Sequence, residues 1–245
     1  MPIRSDFNKT QKTIQFLLVI LSVLALFLTS WVSIRPPEIE VSFAFKNLVI
    51  GTLFTLICFF GILAALFPGY CAGVVGHKEL ASEKKLPNPH AKNISGHHAS
   101  CEGYASHILN IRENRFCATC SGLLFGAFLA VIGCAVYFFF DVSFGQPFLV
   151  VLLGDFGVLI GIIYHLVPKL EYSLIRFVAS SFFVLGAFLI LVGVDLAANR
   201  IYLDLFVLAS SVLWIVTKIA LSSREHQQTC AQCLSECPVN EKKVD

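Results

Sequence analysis

Residues 117–140 read CATCSGLLFGAFLAVIGCAVYFFF, an apolar run that opens with two cysteines three positions apart. A helix of about 20 apolar residues crosses the roughly 30 Å hydrocarbon core of a bilayer, so this run is long enough to span a membrane. Five other runs reach the same length. The sequence therefore predicts an all-α membrane protein, a six-transmembrane-helix bundle, with spans at Ile14–Ile34, Leu48–Phe67, Cys117–Phe140, Pro147–Val167, Ser173–Val194 and Ile201–Leu221.

The composition agrees with a membrane class. Hydrophobic residues make up 56% of the chain and charged residues only 14%, which soluble domains rarely match. The net charge is +2 and there is no basic block, which argues against a nucleic-acid partner. The lipid bilayer is the partner that this composition predicts.

The six spans divide the chain into four segments. Residues 1–67 form an N-terminal stub and the first two helices, and residues 68–116 form a Cys/His-rich loop. Residues 117–221 hold the remaining four helices, and residues 222–245 form a Cys-rich tail. The first apolar run is longer than the core of a signal peptide and lacks a convincing cleavage site, so we expect a retained helix.

The Lys and Arg residues predict how the bundle is oriented. With six spans, fifteen of the eighteen Lys and Arg residues lie on the side that holds both termini and the long loop, and only Arg35, Lys46 and Arg200 lie on the other. Lys and Arg residues resist translocation, so the side with more Lys and Arg is predicted to be cytoplasmic. We therefore expect a multi-pass protein of the cell membrane with both termini in the cytoplasm.

The cysteine spacing predicts a metal site in the loop. Cytosolic thiols are normally reduced, so a cluster there favours a metal site or a catalytic thiol over a disulfide. Two pairs of candidate ligands stand fifteen residues apart, in the two-plus-two order of small zinc modules. The predicted zinc ligands are His98, Cys101, Cys117 and Cys120, with His97 and His107 as alternates.

The residues between the two pairs are predicted to fold back on themselves. The stretch SHILNIRENRFC, residues 106–117, reads as two short strands with a turn near Asn114. A hairpin centred on Glu113 would set His107 across from Thr119. A knuckle, a hairpin and a helix that supplies the last two ligands would resemble a treble clef. The start of that helix would also stabilise thiolates through its free N–H groups.

The same stretch resembles a group of uncharacterised multi-span membrane proteins of archaeal type. In these proteins a His-His-x2-Cys segment precedes a Cys-x2-Cys-[Ser/Thr]-Gly that opens a span, here His97 to Cys101 and CATCSG. The resemblance covers about thirty residues and implies no particular activity.

The tail holds a second group of possible metal ligands. These are His226, Cys230, Cys233 and Cys237. Zinc is one candidate, and an iron–sulfur cluster is another, because Cys-x2-Cys-x3-Cys-Pro is similar to part of a ferredoxin run. The alternative is a disordered tail with incidental thiols.

Features inside the spans predict packing and a buried acid. Ala118, Gly122, Gly126 and Ala130 recur every four residues, a stripe that lets another helix approach closely, and residues 157 and 161 of the fourth span are glycines that could face it. Asp155 lies in the middle of the fourth span, where a carboxylate is expected to face the bundle interior. Cys58 and Cys134 lie deep in spans and are interpreted as packing residues.

Three functions are compatible with these residues. The first is a scaffold or accessory subunit whose cytosolic zinc module binds a protein partner. The second is a thiol–disulfide oxidoreductase, because Cys117-Ala118-Thr119-Cys120 at a span end resembles the quinone-linked helical-bundle family that includes vitamin K epoxide reductase. The third is a metal transporter with Asp155 on its path. The absence of a nucleotide loop, a Ser-His-Asp set or an HExxH motif favours the non-enzyme reading.

Overall fold

The computed structural model describes residues 3–35, 45–66, 94–95, 107–111, 114–140, 145–166 and 172–232, with side chains from residue 11 to residue 225 except 94–95 and 110–115. The described fold is almost entirely helical, with a small sheet at one end of the bundle. Its elements are α1 (Ile3–Ile34), α2 (Lys46–Leu66), β1 (Ile94–Ser95), β2 (Ile108–Ile111), β3 (Asn114–Cys117), α3 (Ala118–Phe140), α4 (Pro147–Ile163, continued by a 3₁₀ turn at Tyr164–Leu166), α5 (Ser173–Ala198) and α6 (Ile201–Gln232).

The six predicted spans are confirmed as helices that are long and apolar enough to cross a membrane. Several of them run further than the sequence suggested: α1 begins at Ile3 instead of Ile14, and α2 begins at Lys46 instead of Leu48. Helix α5 continues past Val194 to Ala198, because Asp195 is paired inside the bundle and does not need to face water. Helix α6 continues past Leu221 through Gln232, over a stretch containing Arg, Glu and Gln, which are good helix formers.

Helix α5 lies at the centre of the bundle, between α3 and α4. A Cβ atom added to Gly122 of α3 would lie 2.3 Å from the carbonyl oxygen of Phe177 on α5. On the other side, a Cβ added to Gly154 of α4 would lie 2.7 Å from the carbonyl oxygen of Gly186 on α5. Both contacts are between backbones, so glycine is what allows the three helices to approach this closely.

This arrangement corrects one expectation about the glycine stripes. The stripe of α3 does face a neighbouring helix, but that helix is α5. Gly157 and Gly161 of α4 also pack against α5, at Phe182 and Phe183, and so do not face the stripe of α3. Spacing identifies a face that can be approached closely, but it does not say which helix approaches it.

Helix α1 packs against α4, α5 and α6, and its contact with α6 includes several polar groups. The Ser22 and Thr217 hydroxyls are 2.8 Å apart, and the Trp214 indole N–H donates to the Ser22 carbonyl at 3.2 Å. Trp214 is fully buried. These contacts join the first and last spans, so the bundle closes around α5.

A short sheet stands where β3 leads into α3. Strands β2 and β3 pair antiparallel, with Ile108 opposite Cys117, and β1 pairs parallel to β3. The predicted hairpin is therefore confirmed, with a register one residue away from the expected one. No loop separates β3 from α3, so Cys117 ends the strand and Ala118 begins the helix. We call this end of the bundle the hairpin end and the opposite end, where α2 and α6 begin, the far end.

Candidate functional site

The two thiols at the start of α3 are the best-placed reactive groups at the hairpin end. Cys117 ends β3 and Cys120 lies in the first turn of α3, so the direct passage from strand to helix brings both side chains together. The two thiols lie close enough to interact with each other. Both are half-buried and neither forms a disulfide. A close pair of reduced thiols is thus available for a metal ion or for oxidation.

The other predicted metal ligands are only partly described. Cys101, His97 and His98 lie outside the described residues. The described part of the chain holds no group of three His, Cys, Asp or Glu side chains arranged for a metal ion. The structure therefore brings Cys117 and Cys120 together and leaves the predicted zinc site, with the knuckle of the treble clef, untested.

The tail ligands divide in the same way. His226 and Cys230 lie four residues apart on the last turns of α6, although their side chains are not described. Cys233 and Cys237 lie outside the described residues. The first half of this segment is therefore helical, whereas the sequence analysis assigned it to the tail.

His107, an alternate zinc ligand in the sequence analysis, is held by the bundle. Arg176 of α5 donates from Nη1 to His107 Nδ1 at 3.1 Å, inside the protein. Arginine can only donate, so Nδ1 accepts and the ring proton of the neutral imidazole is on Nε2. His107 Nε2 lies 3.9 Å from Glu225 Oε1. The hydrogen bond from Arg176 to His107 therefore connects the hairpin to α5.

Glu225 joins three helices to the hairpin. Its Oε1 accepts from Arg176 Nη1 at 2.7 Å, and its Oε2 lies 2.9 Å from His165 Nδ1. His165 lies in the 3₁₀ turn that follows α4, Arg176 lies in the first turn of α5, and Glu225 lies two turns before the end of α6. We call His107, His165, Arg176 and Glu225 the Glu225 cluster. The sequence analysis did not predict that His165, Arg176 and Glu225 would meet.

A cavity of about 480 Å³ lies under the thiols and the Glu225 cluster. It is enclosed by α2, α3, α5 and α6, with Cys117, Thr119 and Cys120 at its hairpin end. Further in, its walls are mainly apolar, for example at Phe54, Leu123, Phe183 and Ile215. A pocket of this kind, apolar with a few polar groups at one end, is typical of small-molecule sites.

Asp155 was expected to face the bundle interior, and it does. It is buried against α1, where Thr29 donates to Oδ1 at 3.5 Å and Ser30 donates to Oδ2. Asp155 is not among the residues that line the cavity. The transporter hypothesis needs a path from the thiols to this carboxylate, and the described side chains supply no such path.

A second buried polar cluster at the far end was missed by sequence reasoning. Lys46 of α2 pairs with Asp195 and Asn199 and lies 3.7 Å from Asp204 of α6. The Tyr137 hydroxyl donates to Asp195 at 2.7 Å. Lys46, Asp195 and Asp204 lie at ends of spans that the six-span topology places on the same side of the membrane. This shared position is the signal that could have predicted the cluster.

Comparisons of the chain with protein-family models, with curated proteins and with solved structures found no match. The chemistry is therefore inferred from the side chains. Two contacting thiols can bind a soft metal ion such as zinc or be oxidised together to a disulfide. The cavity beneath them can take an apolar ligand, and the Glu225 cluster holds the hairpin above it.

Proposed function

We propose that this protein is a membrane scaffold or accessory subunit whose hairpin-end module binds zinc through His98, Cys101, Cys117 and Cys120. The observation that carries the proposal is the thiol pair of Cys117 and Cys120, delivered by a hairpin that runs directly into a helix. In this treble-clef-like arrangement His98 and Cys101 complete a closed, four-ligand tetrahedral site, which is the structural type of zinc site.

The module faces the cytoplasm of a cell in this proposal. The support is the excess of Lys and Arg on the side that carries the hairpin and both termini. Zinc there ties the long loop to the start of α3, and the small module gains most of its folding free energy from the metal. The surface so ordered is where a protein partner binds.

The test is the metal content of detergent-purified protein, measured by elemental analysis for the wild type and for Cys117→Ser. We expect about one zinc ion per chain at this site in the wild type and its loss in Cys117→Ser, because three remaining ligands bind the ion far more weakly. Limited proteolysis should then cut the loop of Cys117→Ser while the six spans stay intact.

Cys134→Ser is the matched control. Cys134 lies deep in α3 and its thiol donates to the Gly51 carbonyl at 3.5 Å, far from the module. The metal content of Cys134→Ser should equal that of the wild type. Full zinc and a protected loop in Cys117→Ser would refute the site.

The tail is proposed to hold a second metal, zinc or an iron–sulfur cluster, through His226, Cys230, Cys233 and Cys237. The support is four ligand types within a short segment whose first part is helical. A chain ended after Glu225 keeps the Glu225 cluster and should lose this metal, with any visible iron–sulfur absorption. An unchanged metal content would leave the tail without a site.

One observation favours a second candidate, a membrane thiol–disulfide oxidoreductase. Cys117 and Cys120 line an apolar cavity, where a lipid-soluble quinone would be close to them. Oxidation of the two thiols to a disulfide would release two electrons and two protons, which would reduce the quinone to a quinol. Zinc-free protein whose two thiols oxidise when a soluble ubiquinone analogue is added would support this candidate, and zinc-loaded protein with unreactive thiols would eliminate it.

A further inference from the structure

A buried lysine that the proposed zinc module does not use lines the cavity. Lys218 lies on α6 with only 4% of its surface exposed, and it is one of the residues that line the cavity. Its ammonium group donates to the Gly161 carbonyl at 3.1 Å and lies 4.9 Å from the centre of the Phe183 ring. No described Asp or Glu side chain forms an ion pair with it.

These contacts leave the ammonium group only partly satisfied. An ammonium has three N–H donors, and the described contacts account for one donor and for an aromatic face. Glu225, seven residues along α6, attracts the ammonium electrostatically but forms no ion pair with it. Burying an ammonium that forms no ion pair is costly, and such residues inside a membrane protein usually serve a ligand or a path. An anion in the cavity is the partner that would complete the site.

The shape of the cavity indicates that this anion carries an apolar chain. From Glu225 to Ser211 the cavity follows α6 for about 21 Å. Apart from the polar groups already named and the serines Ser211, Ser222 and Ser223, the residues that line it are apolar. A small hydrated anion such as inorganic phosphate gains nothing from such walls, whereas burial of an alkyl chain is favourable.

The cavity also reaches the surface that faces lipid. Gly61 of α2 and Ile219 of α6 both line it, and both are exposed on the outside of the bundle. A Cβ atom placed on Gly61 would meet no atom within 4 Å, so there is open space beside this residue. A molecule dissolved in the bilayer can therefore enter between α2 and α6.

We propose that the cavity binds a single-chain anionic lipid of the fatty-acid class. Its carboxylate pairs with Lys218, and its chain lies along the apolar walls between α2 and α6. The volume of about 480 Å³ suits one chain better than a two-chain phospholipid. Lys218 is not one of the four proposed zinc ligands, although Cys117 and Cys120 line the hairpin end of the same cavity.

The test is binding of radiolabelled oleate to full-length protein purified in detergent. The wild type should bind saturably, and Lys218→Met should bind at least tenfold more weakly, because methionine keeps the length of the side chain and removes the charge. Oleyl alcohol, which has the same chain without the carboxylate, should compete poorly and should bind the wild type and Lys218→Met alike. Equal oleate affinity in the wild type and Lys218→Met would overturn the proposal.

A second variant tests the position independently of Lys218. Gly61→Phe fills the open space at the entrance and should abolish saturable oleate binding. Leu56→Phe, on the exposed face of α2 outside the cavity, and Arg224→Gln, which removes a charge one residue from Glu225, should both bind like the wild type. Unchanged binding in Gly61→Phe, or no saturable binding in the wild type, would refute the site.

Discussion

At the scale of single residues, Lys46 is the side chain on which the far end most depends. It is buried, and it is the only described cation within ion-pair distance of Asp195 and Asp204. Removing the cation from a buried ion pair costs about 3–5 kcal/mol, because the partner charge is left uncompensated. We therefore expect Lys46→Met to lower the thermal unfolding temperature in detergent markedly.

Two companion variants separate this effect from a simple loss of packing. Lys46→Met combined with Asp195→Asn should recover much of the lost stability, since it removes one of the two carboxylates left without a cation. Lys12→Met removes an exposed lysine of α1 and should change the free energy of unfolding by no more than about 0.5 kcal/mol. A double variant no more stable than Lys46→Met would contradict the charge argument.

At the scale of elements, the approach of α3 to α5 depends on Gly122. A methyl group on this residue would meet the Phe177 carbonyl oxygen at 2.3 Å, and a backbone atom cannot move aside as a side chain can. Overpacking of this kind costs about 1–3 kcal/mol. Gly122→Ala should therefore unfold at a lower temperature than the wild type.

Gly61→Ala is the matched control for this prediction. It is also a glycine within a helix, but the added Cβ atom meets nothing within 4 Å. Alanine is the better helix former by up to about 1 kcal/mol, so Gly61→Ala should be as stable as the wild type or more so. Equal unfolding temperatures for the two alanine variants would mean that α3 and α5 can separate at no cost.

At the scale of the whole molecule, the orientation of the bundle can be tested with two introduced cysteines. Arg35 follows α1 at the far end, and Tyr172, which is 71% exposed, precedes α5 at the hairpin end. In intact cells, a membrane-impermeant thiol reagent should add label to Arg35→Cys but not to Tyr172→Cys. Permeabilised cells should add label to both.

The native cysteines provide the internal check on this experiment. Cys101 and Cys230 should escape the reagent in intact cells if both the loop and the tail are cytoplasmic. Label on Tyr172→Cys in intact cells would invert the topology. It would also remove the argument that the thiols lie in a reducing compartment.

The number and position of the spans followed from the sequence alone, because bilayer thickness imposes a length on each apolar run. The hairpin was also readable, since residues 106–117 contain both strands and the turn between them. These signals are local. The proximity of Cys117 and Cys120 is also a local property, because they lie only three positions apart where β3 passes directly into α3.

Only the tertiary structure decided which distant residues meet. Lys46 and Asp195 lie 149 positions apart, and nothing near either one in the chain specifies the other. The glycines of α3 and α4 revealed faces that a helix could approach, but not that α5 approaches both. The cavity beside Lys218 likewise exists only because four helices leave a gap between them. Hydrophobic length is a property of one segment, whereas a buried pair or a cavity is a property of how the segments pack.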